Sequence, residues 1–195
     1  MIRCIPQILL AVFALCSTAV SSEAQDSEAY CRDAISRAKA LSPSTRGVSE
    51  DLYRLGSCGR DGYRAAGEVF SRARISHDPG FLHQLLEFVS GGDGLLFLDP
   101  LLSVAADRGA TTEARVTAMV GLIQLQSGVN AITFHDLSVG IENTTCGVGR
   151  LITDRGGHPK STSADSARIV AVAKQIRADP TAPMEVRTGA ACLGG

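Results

Sequence analysis

Two stretches decide how this chain is read: DRGATTEARVTA at 107–118 and DPTAPMEVRTGA at 179–190. The same four residue types recur at the same offsets, as Asp107, Glu113, Arg115 and Ala118 and then as Asp179, Glu185, Arg187 and Ala190. Each stretch closes one segment of helical periodicity, turns, and opens another. The glutamate falls in the first turn of the second segment, where the helix dipole favours negative charge. The alanine leaves room for close helix approach. Asp107 and Asp179 are 72 positions apart, which suits two units of about 36 residues, and helical repeats of roughly 34–47 residues build α-solenoids.

Outward from these stretches the same periodicity continues. Residues 25–41 space Ala29, Ile35 and Ala38 at helical intervals, and the SPST run at 42–45 predicts a turn. Ser49 is placed as an N-cap, with Glu50 and Asp51 in the first turn behind it. The next helix is predicted from Gly62 to Ile75, with Tyr63, Ala66, Val69, Phe70 and Ala73 on one face. Pro79 suits the first position of a helix carrying Phe81, Leu82, Leu85, Leu86, Phe88 and Val89. Asp99 and Pro100 read as an N-cap followed by a first-turn proline. Thr111 is placed as the cap of a helix over 112–127, and Ser163 as the cap of one over 164–178. A last helix is predicted over 183–193. Nowhere does a sustained period-two alternation appear, so the predicted class is all-α, in antiparallel helix pairs. The glycine-rich stretch 128–160 interrupts the pattern and reads as an irregular insert.

The first residues follow a different logic. Arg3 precedes an apolar run from Ile8 to Val20, and Ser22 and Ala24 are small residues at the −3 and −1 positions of a cleavage site. That layout is a secretory signal, expected over 1–24, and the run is short for a membrane span. The expected mature domain is a single helical unit over 25–195, exported to the periplasm or outside the cell, with no membrane attachment after cleavage. Of six cysteines, four remain in it: Cys31, Cys58, Cys146 and Cys192. An even number in an exported chain reads as two disulfides. If 28–41 and 49–58 fold as a hairpin about Thr45, Cys31 and Cys58 lie side by side at its open end. That leaves Cys146 and Cys192 as the second pair.

The DPTAPMEVRTGAA segment at 179–191 resembles a HEAT-type helical repeat, closest to the short subtype of phycobilisome-lyase-like proteins, and 101–125 resembles a second copy. The resemblance implies a short α-solenoid used for protein binding. It also implies a structural polar ladder in which the loop aspartate and the following arginine join repeats, here Asp107, Arg115, Asp179 and Arg187. The 128–160 insert departs from the family pattern.

Composition narrows function further. With 45% hydrophobic and 20% charged residues the chain folds rather than staying disordered. A net charge of −1 gives no basic excess for nucleic acid. Aromatics make up 5% with no tryptophan, which is thin for a stacking platform. Charge is uneven along the chain: residues 25–78 carry a net +1, 79–143 a net −5 and 144–195 a net +3. An acidic middle can receive a basic partner, and Asp93, Asp99 and Asp107 are its candidate contacts. No metal-ligand spacing, nucleophile elbow or phosphate loop is present, so no cofactor or metal is expected. The leading expectation is a non-catalytic protein-binding module. The alternative is a secreted hydrolase using His77 or His135 with Asp78 or Asp136.

Overall fold

A computed structural model of the chain describes residues 27–127 and 160–193. Every regular element among these residues is helical. The elements are α1 over 27–40, α2 (Glu50–Leu55), α3 (Gly59–Arg72), α4 (Pro79–Ser90), α5 (Leu98–Ala106), α6 (Thr112–Ser127), α7 (Ser163–Ala178) and α8 (Met184–Cys192). Short 3-10 turns at Gly56–Cys58, Ala73–Ile75 and Gly94–Phe97 link several of them.

Local chemistry sets most of the boundaries. Asp78 caps α4, its side chain accepting from the Phe81 N–H at 2.9 Å, and Pro79 takes the first helical position, where its missing N–H costs nothing. Thr111 accepts from the Ala114 N–H at 3.1 Å at the start of α6. The cap of α7 is Thr162 rather than Ser163, and it forms a reciprocal capping box with Asp165. Asp99 is not the cap of α5. The 3-10 turn before it carries the helix start back to Leu98, which leaves Asp99 in the first turn and Pro100 one place further in. Pro100 is tolerated there because the first-turn N–H groups have no intrahelical acceptor. It also packs close to Gly67 of α3, where a Cβ would come within 3.1 Å of the ring.

Short connections fold α3 onto α4, α5 onto α6 and α7 onto α8. Between these pairs, α3 packs on α5 and α5 on α7, while α4 packs on α6 and α6 on α8. Odd-numbered helices therefore neighbour odd ones, and even neighbour even. Helix α6 lies against α4, α5 and α8 at once, and every residue from Ala114 to Leu125 is buried. One apolar core runs through all the pairs, from Ala34 and Leu52 to Ile176 and Val186.

The connecting loops are tied to one another in series. Asp78, Asp107 and Asp179 each divide the carboxylate the same way. The Oδ1 atoms accept from backbone N–H groups of their own turns: Phe81 at 2.9 Å, Gly109 at 2.8 Å and Thr181 at 3.0 Å. The Oδ2 atoms reach back to the preceding loop: to the Gly47 N–H at 2.9 Å, to Arg74 Nη1 at 3.0 Å and to Arg108 Nε at 3.0 Å. Gly47 holds a φ of 73°, a conformation that favours glycine. Thr111 adds two more ties, its N–H donating to Arg74 O and its hydroxyl to Ser76 O.

Arg115 and Arg187 are placed differently from Asp107 and Asp179. Arg115 is buried in α6 and donates from Nε to the Ala105 carbonyl at 3.0 Å, closing the end of α5. Burial pulls its guanidinium below the ordinary value, with Asp179 and Asp107 acting in the opposite sense. Arg187 is exposed and makes no ion pair among the described residues. Arg74 and Arg108 make the ion pairs with the loop aspartates, while Arg115 lies within the electrostatic reach of Asp107 and Asp179.

Cys31 and Cys58 form a disulfide with a Cα–Cα distance of 5.4 Å, which joins α1 to the turn after α2. Cys146 lies outside the described residues, so the Cys146–Cys192 pairing does too, as do the 1–24 segment and most of the 128–160 insert. Lys160, where the described chain resumes, donates from Nζ to Val89 O at 3.1 Å, to Gly91 O at 2.6 Å and to Ser90 O. It thereby closes the C-terminal end of α4, where a cation also meets the helix dipole favourably.

Candidate functional site

The disulfide end of the molecule holds an open cleft of about 450 Å³. Its walls bring together α1, α2, α3 and α4 through Tyr30, Tyr53, Tyr63 and Phe88, with Arg54 and Glu87 at the polar edge. These are all three tyrosines of the chain. Tyr53 is 75% exposed and Tyr30 45%.

The cleft floor is packed into the core. Tyr63 meets Phe88 edge to face, with centroids 5.5 Å apart, and Phe88 stacks on Phe97 at 6.0 Å. Phe97 continues to Phe70 in the core at 6.4 Å. Gly91 permits the position of Tyr63, because a Cβ there would collide with the Tyr63 hydroxyl. Gln84 fixes the far wall through its amide, which accepts from the Ser49 N–H and donates to the Ser49 carbonyl, both at 2.7 Å. The start of α2, and so the placement of Tyr53, is thereby locked to α4. The α1 wall is held by the disulfide beside Tyr30 and by an exposed Lys39–Glu68 pair at 2.8 Å.

The residues singled out as partner contacts do not form one patch. Asp93 and Asp99 line a second cleft beside the start of α5, whereas Asp107 lies past the other end of that helix. All three are paired: Asp93 with Arg60 at 3.8 Å, Asp99 with Arg168, and Asp107 with Arg74. Glu113, a fourth carboxylate of the acidic middle, meets the His77 ring at 3.2 Å. Glu87 makes no hydrogen bond or ion pair among the described residues.

His77 and Asp78 border a third cleft with Ser44, Arg46 and Ser76. Both Asp78 carboxylate oxygens are engaged by backbone N–H groups, and these bonds, from Phe81 first and then Gly47, hold the carboxyl below its ordinary value. The His77 ring turns to Glu113 instead. The structure thus does not join His77 to Asp78 as an acid/base pair. His135 and Asp136 lie outside the described residues. Among the described residues no cluster of His, Cys, Asp or Glu is arranged to hold a metal ion, and no helix is long and apolar enough to cross a membrane.

The tyrosine cleft was not legible from the sequence. Composition argued against an aromatic platform, yet the fold draws Tyr30, Tyr53 and Tyr63 from three separate helices to one place. The sole hint is that Tyr30 adjoins Cys31, so a bridge to Cys58 carries it toward α2 and α3. The chain matches no protein-family model, no curated protein and no solved structure.

Proposed function

We propose that this is an exported, non-catalytic protein-binding module of HEAT-like α-solenoid type, and that its partner seats on the tyrosine cleft. The observation that carries the proposal is the convergence of every tyrosine in the chain, with Phe88, on one open cleft whose floor is packed into the core. Tyrosine and arginine anchors dominate binding energy at protein interfaces, because they bury large areas at small entropic cost. The order of packing, odd helices on odd and even on even, supports the solenoid reading. So does the serial tie between Asp78, Asp107 and Asp179 and the loops before them. A disulfide in the fold fits an oxidising compartment. Of the two readings the sequence left open, the hydrolase reading loses the support of His77 with Asp78, because Asp78 has both carboxylate oxygens committed to backbone, while His135 and Asp136 lie outside the described residues.

The test is retention of a partner by immobilised protein in a periplasmic extract. Tyr53→Ala should abolish retention of whatever the unaltered protein holds, and Asp99→Ala should leave it intact. Retention that survives Tyr53→Ala would remove the cleft from the interaction.

A further inference from the structure

We infer that the tyrosine cleft recognises a basic side chain, arginine or lysine, presented by the protein partner; this deepens the interaction reading above and rests on it. The inference starts from charge. The described part of the acidic middle contains five carboxylates: Glu87, Asp93, Asp99, Asp107 and Glu113. Four of them are met by Arg60, Arg168, Arg74 and His77 from the flanking thirds of the chain. The fifth, Glu87, has no such partner among the described residues, and it borders the cleft. Among the described carboxylates of the acidic middle, the one without a partner therefore lies beside the aromatic rings.

The other charged group at the cleft does not cancel it. Arg54 is paired within its own helix to Glu50, at 2.6 Å. A cation approaching the cleft meets the faces of exposed Tyr30 and Tyr53, the Tyr63–Phe88 floor and one free carboxylate. Aromatic faces attract a cation through their negative quadrupole, and a carboxylate adds a charge-assisted hydrogen bond. Guanidinium suits this lining best, since it stacks on rings and binds carboxylate through paired N–H groups. The volume of about 450 Å³ admits a basic side chain together with its flanking backbone.

The chain supplies its own reporter. It has no tryptophan, and all three tyrosines line the cleft, so intrinsic tyrosine emission reads this site alone. The experiment titrates the purified protein with acetyl-Gly-Arg-Gly-amide and with the neutral citrulline tripeptide of the same shape. The arginine peptide should change the emission saturably, with citrulline about five- to tenfold weaker. Glu87→Gln should weaken the arginine peptide by about the same factor and leave citrulline unaffected. Tyr53→Leu, which keeps apolar contact but removes a π face, should weaken arginine more than citrulline. Equal responses to the two peptides, or undiminished arginine binding in Glu87→Gln with unchanged thermal unfolding, would overturn the inference. If the peptides respond equally while Tyr53→Ala still abolishes partner retention, cation recognition fails and the interaction reading stands. If the arginine peptide binds but partner retention ignores Tyr53→Ala, the interaction reading is the one that fails.

Discussion

Helix α6 and helix α1 are held in the fold by opposite means. In α6 every residue from Ala114 to Leu125 is buried, because α4, α5 and α8 surround it. Its polar residues follow the apolar ones inside: Arg115 finds the Ala105 carbonyl, and the side-chain amide oxygen of Gln124 is buried without a hydrogen-bond partner among the described residues. In α1 only Ala34 and Ala38 are buried. Two alanine methyl groups and the half-buried Ile35 contribute about 3 kcal/mol at ~0.8 kcal/mol per buried carbon, too little to order a helix of this length against its conformational entropy. The Cys31–Cys58 bond adds a covalent tie, beside the exposed Lys39–Glu68 pair. Where a helix is central, packing alone fixes it. Where it is peripheral, covalent chemistry does, and the periphery is free to expose Tyr30 and Tyr53 for binding.

The contrast can be broken by substitution. Leu122→Ala, at a fully buried position of α6, should cost about 2–5 kcal/mol, lowering the denaturant midpoint of the whole described core in one transition. Replacing Cys31 and Cys58 by serine removes a link across 27 residues, worth about 2–4 kcal/mol. The loss should be local: amide exchange should rise across 27–40 while α5 and α6 stay protected. Global unfolding of the serine variant at the same midpoint as Leu122→Ala would show that α1 is integral to the core and erase the distinction.

The smallest effect sharpens the comparison at the loops, which join the two regions. Asp78 and Asp179 are held below the ordinary carboxylate range. For Asp78 the cause is the N–H groups of Phe81 and Gly47. For Asp179 it is the hydroxyl and N–H of Thr181, with Arg108. A carboxyl with a folded pKa below its unfolded value stabilises the fold above that unfolded value, about 3.9. The stability is lost as pH falls through the folded value, since protonation breaks these bonds. Asp78→Asn keeps an oxygen for Phe81 but turns a donor toward Gly47. It should cost about 0.5–1.5 kcal/mol at neutral pH. It should also make the fall in stability below pH ~4 shallower, as read by acid titration of the circular dichroism signal.

Much of the fold was legible because helix boundaries are local chemistry. The cap of Asp78 and Pro79 and the span 112–127 follow from residues a few positions apart. The Cys31–Cys58 bridge was also within reach, because a hairpin about Thr45 sets both ends by counting. The local reading erred in two ways: the α7 cap moved from Ser163 to Thr162 through the local capping box with Asp165, and at α5 a neighbouring element overrode the sequence. Asp99 lost its capping role because Gly94–Phe97 wound into a 3-10 turn ahead of it. Asp107 and Asp179 stood out through their repeated surroundings. Asp78 has the same double role, but it lacks the following Glu and Arg, so no echo marked it.

The sequence by itself determined the helical class, most helix limits and one covalent bridge, because periodicity, capping and cysteine spacing act over short distances along the chain. Only the tertiary structure decided which arginines hydrogen-bond the loop aspartates, that Glu87 alone of the described carboxylates of the acidic middle stands without a partner among the described residues, and that three scattered tyrosines share a cleft. Those are properties of neighbours brought from other helices. Charge pairing and aromatic clustering depend on distance in space, and residue counts and offsets do not carry it.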